Sequence, residues 1–168
     1  MLASMGVNPQ RVLDLYAGTG ALGIEALSRG AACADFVERN AVACAVIREN
    51  LERTGFSGRG RVHCIPAERA FGSLTPPYAL VFLDPPYAGS GVEKIFEALA
   101  QSTLLGAQTT LVYEYGRRTA PPVSIGPLTL VKTRIHGDSG VSFYRRSDPE
   151  ASVHGGHTDD KRDLCRPL

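Results

Sequence analysis

Two short stretches of this sequence combine residue types that can do chemistry. One is Asp84-Pro85-Pro86-Tyr87, and the other is the glycine-rich run from Asp14 to Gly23. In the first, an acid, two prolines and an aromatic directly follow the apolar run at 79–83. Successive prolines stop a strand and stiffen the turn after it. A rigid loop accounts for Pro85 and Pro86, but not for the acid before them or the aromatic after them. An exocyclic amine on a nucleic-acid base accounts for all four. The lone pair of such an amine is delocalised into the ring, so it is a poor nucleophile. Two acceptors on its two N–H bonds draw the nitrogen toward a tetrahedral shape. The Asp84 carboxylate is one acceptor, and the Pro85 carbonyl, followed by another proline, is the second. Tyr87 offers a flat face for stacking a base taken out of its helix. Catalysis is then mostly positioning, with Asp84 also available to take the released proton.

The glycine run reads Asp14, Leu15, Tyr16, Ala17, Gly18, Thr19, Gly20, Ala21, Leu22, Gly23. Gly18 and Gly20 let the backbone turn tightly and approach a ligand. The spacing Gly18-x-Gly20-x-x-Gly23 also matches the dinucleotide fingerprint, so the glycines alone do not choose a ligand. Asp14 separates the two readings. It stands at a strand end four residues before the first glycine, where a carboxylate repels a pyrophosphate. S-adenosylmethionine carries an ammonium and a sulfonium, which a carboxylate attracts. The methyl donor is therefore favoured over a nicotinamide cofactor, with a plain structural turn as the third reading. Glu38 lies 24 residues after Asp14. A carboxylate there accepts both ribose hydroxyls of an adenosine, as the acid of the Rossmann fingerprint does. Glu68, or a backbone N–H beside it at Ala67, is the candidate for the adenine edge. Tyr16, Ala17 and Thr19 in the loop, and Arg39 beside Glu38, complete the candidate cofactor-binding set. No metal ligand is expected.

These loops need a parallel α/β sheet to hold them. Residues 11–15 read as a first strand, and 21–29 as a helix closed by Gly30. Residues 34–38 form a second strand. Asn40 caps a helix running to about Thr54, with Ala43, Ile47 and Leu51 on one apolar face and Gly55 at its end. Strands are expected at 61–65, 79–83 and 110–115, with a helix at 91–102. The 79–83 run is almost wholly apolar, as a central parallel strand buried on both faces should be. Two further runs, 128–135 and 141–145, leave no room for a helix between them and form a hairpin. The pattern predicts an α/β, Rossmann-like methyltransferase fold with a seven-stranded, mostly parallel sheet and an antiparallel C-terminal hairpin. One domain at 1–146 is expected. Polar residues 147–168, including His154 and His157, read as a disordered tail rather than a metal site.

Composition narrows the class. The chain has 168 residues, 43% of them hydrophobic and 21% charged, which suits one globular domain. No apolar run approaches the ~20 residues of a membrane span, and the N-terminus lacks the pattern of a signal peptide. A cytoplasmic monomer is expected. The four cysteines are scattered with no CxxC pair, which argues against zinc and disulfides; three sit in apolar stretches and read as buried thiols. Net charge is +1, and the acidic tail leaves +3 on the rest. That balance permits a nucleic-acid substrate without arguing for one.

Four blocks then carry a resemblance: VLDLYAGTGALGIEALSRGA at 12–31, FVERN at 36–40, VFLDPPY at 81–87 and GDSGVSFY at 137–144. Together they resemble the RsmD family, bacterial 16S ribosomal RNA guanine-N2 methyltransferases, in the right order over roughly residues 10–146. The resemblance implies donor binding by Asp14, Gly18, Gly20 and Glu38, with S-adenosylhomocysteine as product. It also implies chemistry at 84–87 on a guanine of the 30S subunit or its assembly intermediate. Members carry a basic segment before the first strand. Only about ten residues precede that strand here, so the chain is expected to lack the segment. The alternatives are an amino-methyltransferase of the same chemistry on another substrate, such as adenine-N6 in DNA, and a donor-binding module without turnover.

Overall fold

The computed structural model describes residues 10–75, 77–86 and 91–146. Tyr87 and the expected tail at 147–168 lie outside the described residues. In chain order the elements are β1 (Arg11–Leu15), α1 (Ala21–Ser28), β2 (Cys33–Val37), α2 (Ala41–Arg53), β3 (Gly60–His63), α3 (Ala67–Ser73) and β4 (Tyr78–Leu83). They continue as α4 (Val92–Gln101), β5 (Leu105–Gly116), β6 (Ser124–Ile125), β7 (Leu128–His136) and β8 (Ser139–Arg146).

The strands form one sheet in the order β3-β2-β1-β4-β5-β8-β7-β6. From β3 to β5 every neighbour is parallel; β8, β7 and β6 are added antiparallel. This is the expected α/β architecture with two corrections. The sheet has eight strands among the described residues, because the two-residue β6 pairs with the start of β7. A helix, α3, occupies the stretch read only as a loop carrying Glu68. Seven residues are too few to display an apolar repeat, and its cap position is Pro66, which has no side-chain acceptor. The hairpin is tighter than expected. Its strands run to His136 and from Ser139, leaving Gly137 and Asp138 to turn, with Gly137 at φ 58°.

Alternation along the strands sorts side chains onto two cores. Leu13, Leu15, Val81, Leu83, Leu111 and Tyr113 face one way, where they pack with α3 and α4 residues such as Ala70, Ile95 and Leu99. Val12, Phe36, Leu80, Phe82 and Val112 face the other, against Ala26 and Leu27 of α1 and Ile47 and Leu51 of α2. Asn40 caps α2 as predicted, its Oδ1 accepting from the backbone N–H of Val42 at 2.8 Å and of Ala43 at 3.3 Å. Of the cysteines read as buried, Cys33 and Cys44 are; Cys64 is exposed, because it follows β3 at the sheet's edge. Among the described residues no helix is long and apolar enough to cross a membrane.

Candidate active site

β1 and β4 are neighbours, with β2 and β3 on one flank and β5 on the other. The chain thus reverses its direction of strand addition between β1 and β4. Loops leaving such a pair diverge and open a crevice at the carboxyl ends of the strands. Asp14 pairs in register with Phe82, and Asp84 lies two residues beyond Phe82. Leu83 pairs with Tyr113, so Glu114, two residues before the end of β5, stands beside Asp84. Strand alternation puts Asp14, Asp84 and Glu114 on the face of Val12, Phe82 and Val112. A row of acids therefore crosses the three strands, with Asp14 buried and Asp84 and Glu114 bordering adjoining clefts.

Asp14 is only 1% exposed. Its Oδ2 accepts from the Gly23 backbone N–H at 2.9 Å. Gly23 lies in the first turn of α1, whose cap residue Gly20 provides no side-chain acceptor. Asp14 thus satisfies one of the orphan donors at the helix start and neutralises part of its positive end. Burial pushes its carboxyl up to about 7; the Gly23 N–H opposes the shift, and the charges of Asp84 and Glu38 add to it. The third glycine of the loop has a packing reason, since a Cβ at Gly23 would overlap the Phe36 ring.

The loop between them is tightly held. Ala17 N–H donates to the Val37 carbonyl at 3.0 Å, and the Asn50 amide donates to the Thr19 carbonyl at 3.0 Å. Gly18 sits at φ 55°, and a Cβ there would meet nothing within 4 Å. Glu38 ties the loop to α2: its Oε2 accepts from the Gly18 N–H at 3.1 Å and its Oε1 from the Asn40 N–H at 2.8 Å. Tyr16, at φ 63°, is the one non-glycine residue with positive φ among the described residues. Strain of that kind costs ~1–3 kcal/mol and concentrates at functional sites. Tyr16 lines a cleft of about 350 Å³ with Glu38, Arg39, Asn40, Asp84 and Pro85. Burial and the neighbouring Glu68 push its phenol up to about 12, against the pull of Arg39. Glu68 lies in the first turn of α3 beside the buried Ala67, and it lines a smaller adjoining cleft with Tyr16 and Arg39.

Asp84 is half-buried, and no hydrogen bond or ion pair holds its carboxylate among the described residues. Burial, then the charge of Glu114, push it up to about 6. Pro85 and Pro86 border both the cleft of Glu38 and a second one of about 260 Å³ that Glu114, Phe96 and Tyr115 also line. The structure thus brings together Asp14, Tyr16, Gly18, Glu38, Arg39, Asp84 and the two prolines around one crevice.

The model of the family described as Conserved hypothetical protein 95 matches residues 1–145. YlbH, an rRNA methyltransferase by name, from Bacillus subtilis, is 32% identical over 139 residues, covering 81% of this chain and 76% of its own. The chain belongs to the RsmD family. The Ribosomal RNA small subunit methyltransferase D of Escherichia coli K12 is 29% identical over 134 residues, 80% of this chain and 67% of that protein. A solved Streptococcus pyogenes structure, a conserved hypothetical protein, superposes with a TM-score of 0.77 at 41% identity, covering 88% of this chain and 90% of that one. The sheet is accordingly the Rossmann-like fold of methyltransferases, and this RsmD-family chain is an enzyme of that class. Reading its sequence missed Glu114, which sits inside an apolar strand run. The signal was available: like Asp14 and Asp84, it is an acid at the carboxyl end of a parallel strand.

Proposed function

We propose that this chain transfers a methyl group from S-adenosylmethionine to the exocyclic N2 amine of a guanine in 16S ribosomal RNA, on the small subunit or its assembly intermediate. The observation that carries the reading is Asp84: a half-buried carboxylate at the β4 end, without a partner among the described residues, raised to about 6 and followed by two prolines. The names of the relatives, two of them rRNA methyltransferases, support RNA as the polymer.

The residues around the glycine loop fit the donor. Gly18 leaves open space above the loop. Each oxygen of Glu38 accepts one backbone N–H and keeps a lone pair for a ribose hydroxyl. A pyrophosphate fits poorly, because the α1 terminus is already occupied by Asp14 and carboxylates ring the crevice. When bound, S-adenosylmethionine supplies a methyl group on a positively charged sulfur and leaves as S-adenosylhomocysteine. Tyr16, Gly18 and Glu38 hold it, and Ala67 and Glu68 face the adenine. Asp84 and the Pro85 carbonyl accept the two N–H bonds of the target amine and orient its lone pair. Asp84, with its raised affinity for protons, takes the proton that the nitrogen releases. Tyr87 stacks on the base.

The test is calorimetry with S-adenosylmethionine and with NADH, followed by tritiated methyl transfer to small subunits from a strain lacking the modification. Donor binding and label in the RNA are expected. Preference for the nicotinamide, or donor binding with label absent from RNA, contradicts the reading.

A further inference from the structure

Glu114 is the feature that the chemistry above does not use. It is half-buried beside Asp84 in the register of β4 and β5, on the same face of the sheet, and the two acids line adjoining clefts that share Pro85 and Pro86. Among the described residues neither carboxylate has a hydrogen-bond or ion-pair partner. Two unpaired carboxylates side by side repel each other and lose hydration, an arrangement that ligand donors relieve. One acceptor pair, Asp84 and the Pro85 carbonyl, suffices for an amine. A second acid next to it calls for a second donor next to the amine.

Guanine has that donor. Its N1–H and N2 amine lie side by side on one edge. In adenine the ring nitrogen beside the amine is an acceptor, and its lone pair would face a carboxylate. We propose that Glu114 reads the N1–H of the target base and so makes the site selective for guanine. This rests on the guanine reading of the preceding section. Glu114 accepts the N1 proton without removing it, while Asp84 holds the neighbouring amine. Glu93, exposed in the first turn of α4, borders the same cleft but lies on another element. It serves as a control.

The experiment uses small subunits reconstituted with RNA that carries either guanine or 2-aminopurine at the methylated position. 2-Aminopurine keeps the amine and lacks the N1–H. The full chain is expected to prefer guanine by at least about tenfold in kcat/KM, the scale of one base-edge contact. Glu114→Ala is expected to bring the ratio close to one. Glu114→Gln, which retains an acceptor oxygen, should keep most of the preference, as should Glu93→Ala. An unchanged ratio in Glu114→Ala, with folding verified by an unchanged donor affinity, overturns the role of Glu114 alone. Equal use of both bases by the unmodified chain also overturns it. Absence of transfer to guanine by the unmodified chain overturns the earlier reading instead.

Discussion

Asp35 and Asp14 sit on adjacent strands, 3% and 1% exposed, and the fold treats them in opposite ways. Asp35 is surrounded by donors drawn from three other strands. Its Oδ2 accepts from Arg11 Nη2 at 3.1 Å and from the Tyr78 hydroxyl at 2.8 Å, while Oδ1 faces His63 Nε2 at 2.8 Å. Arg11 also lies over the Tyr78 ring. Burial alone would raise the Asp35 carboxyl, but the hydrogen bonds from His63 and Tyr78 and the charge of Arg11 outweigh it and hold it below the usual range. Asp14 has one backbone N–H and no cation, and Asp84 and Glu114 beyond it have no partner among the described residues. The Asp35 cluster, saturated at the carboxylate although Arg11 Nε is left without a hydrogen bond, is structural: it joins β1, β2, β3 and β4. In the proposed function, the unsaturated row is where a ligand's positive charge and N–H groups would complete what the described residues leave open.

Breaking the unsaturated row should have the largest effect. Asp84→Ala is expected to lower methyl transfer by about 10²-fold or more, the range of a positioned acid–base group. Donor affinity by calorimetry should stay within a few-fold. In the unmodified enzyme, kcat/KM should rise through about pH 6 as Asp84 ionises, and Glu114→Gln should move that limb to lower pH.

Breaking the saturated cluster should act on stability instead. Asp35→Ala strands the Arg11 charge in the core, a loss of about 3–5 kcal/mol, visible in denaturant melts. Because the folded carboxyl is held low, its contribution is complete above the ordinary carboxylate range and is lost as acid titrates through the folded value. Donor affinity measured below the melting temperature should change little.

Glu38→Gln sharpens the contrast within the crevice. It keeps one acceptor oxygen but removes the charge, and about a tenfold weakening of donor binding is expected. Asp14→Asn should change stability with a pH dependence of opposite sign to that of Asp35. The Asp14 carboxyl is raised to about 7, so between about pH 4 and 7 the folded state holds a proton that the unfolded chain has released. Raising the pH through that window costs stability. The asparagine variant should therefore melt higher than the unmodified chain at pH 8, with the gap closing toward pH 4, while binding the donor less tightly.

The sequence made the unsaturated row partly visible and the saturated cluster not at all. Asp14 and Asp84 end apolar runs beside glycine and proline turns, so strand, turn and acid are read from neighbouring residues. Asp35 finds its partners 24, 28 and 43 positions away, which no local pattern encodes. Glu114 fell between these cases. It lies inside the expected strand at 110–115, flanked by Tyr113 and Tyr115, so an apolar run hid an acid that strand alternation turns toward Asp84. The local reason for Glu38 was also hidden: besides the ligand acceptor proposed for it, it is the backbone clamp on Gly18 and Asn40. The short elements α3 and β6 are held by packing and pairing with distant strands and helices rather than by their own periodicity.

In the proposed function, the Asp84 carboxylate after β4 directs a methyl group to the amine of guanine. Nucleoside analysis by mass spectrometry of small subunits methylated by the unmodified chain and by Asp84→Ala tests it most directly. N2-methylguanosine is expected with the first and essentially none with the second. N6-methyladenosine as the product, or undiminished N2-methylguanosine from Asp84→Ala, would contradict it.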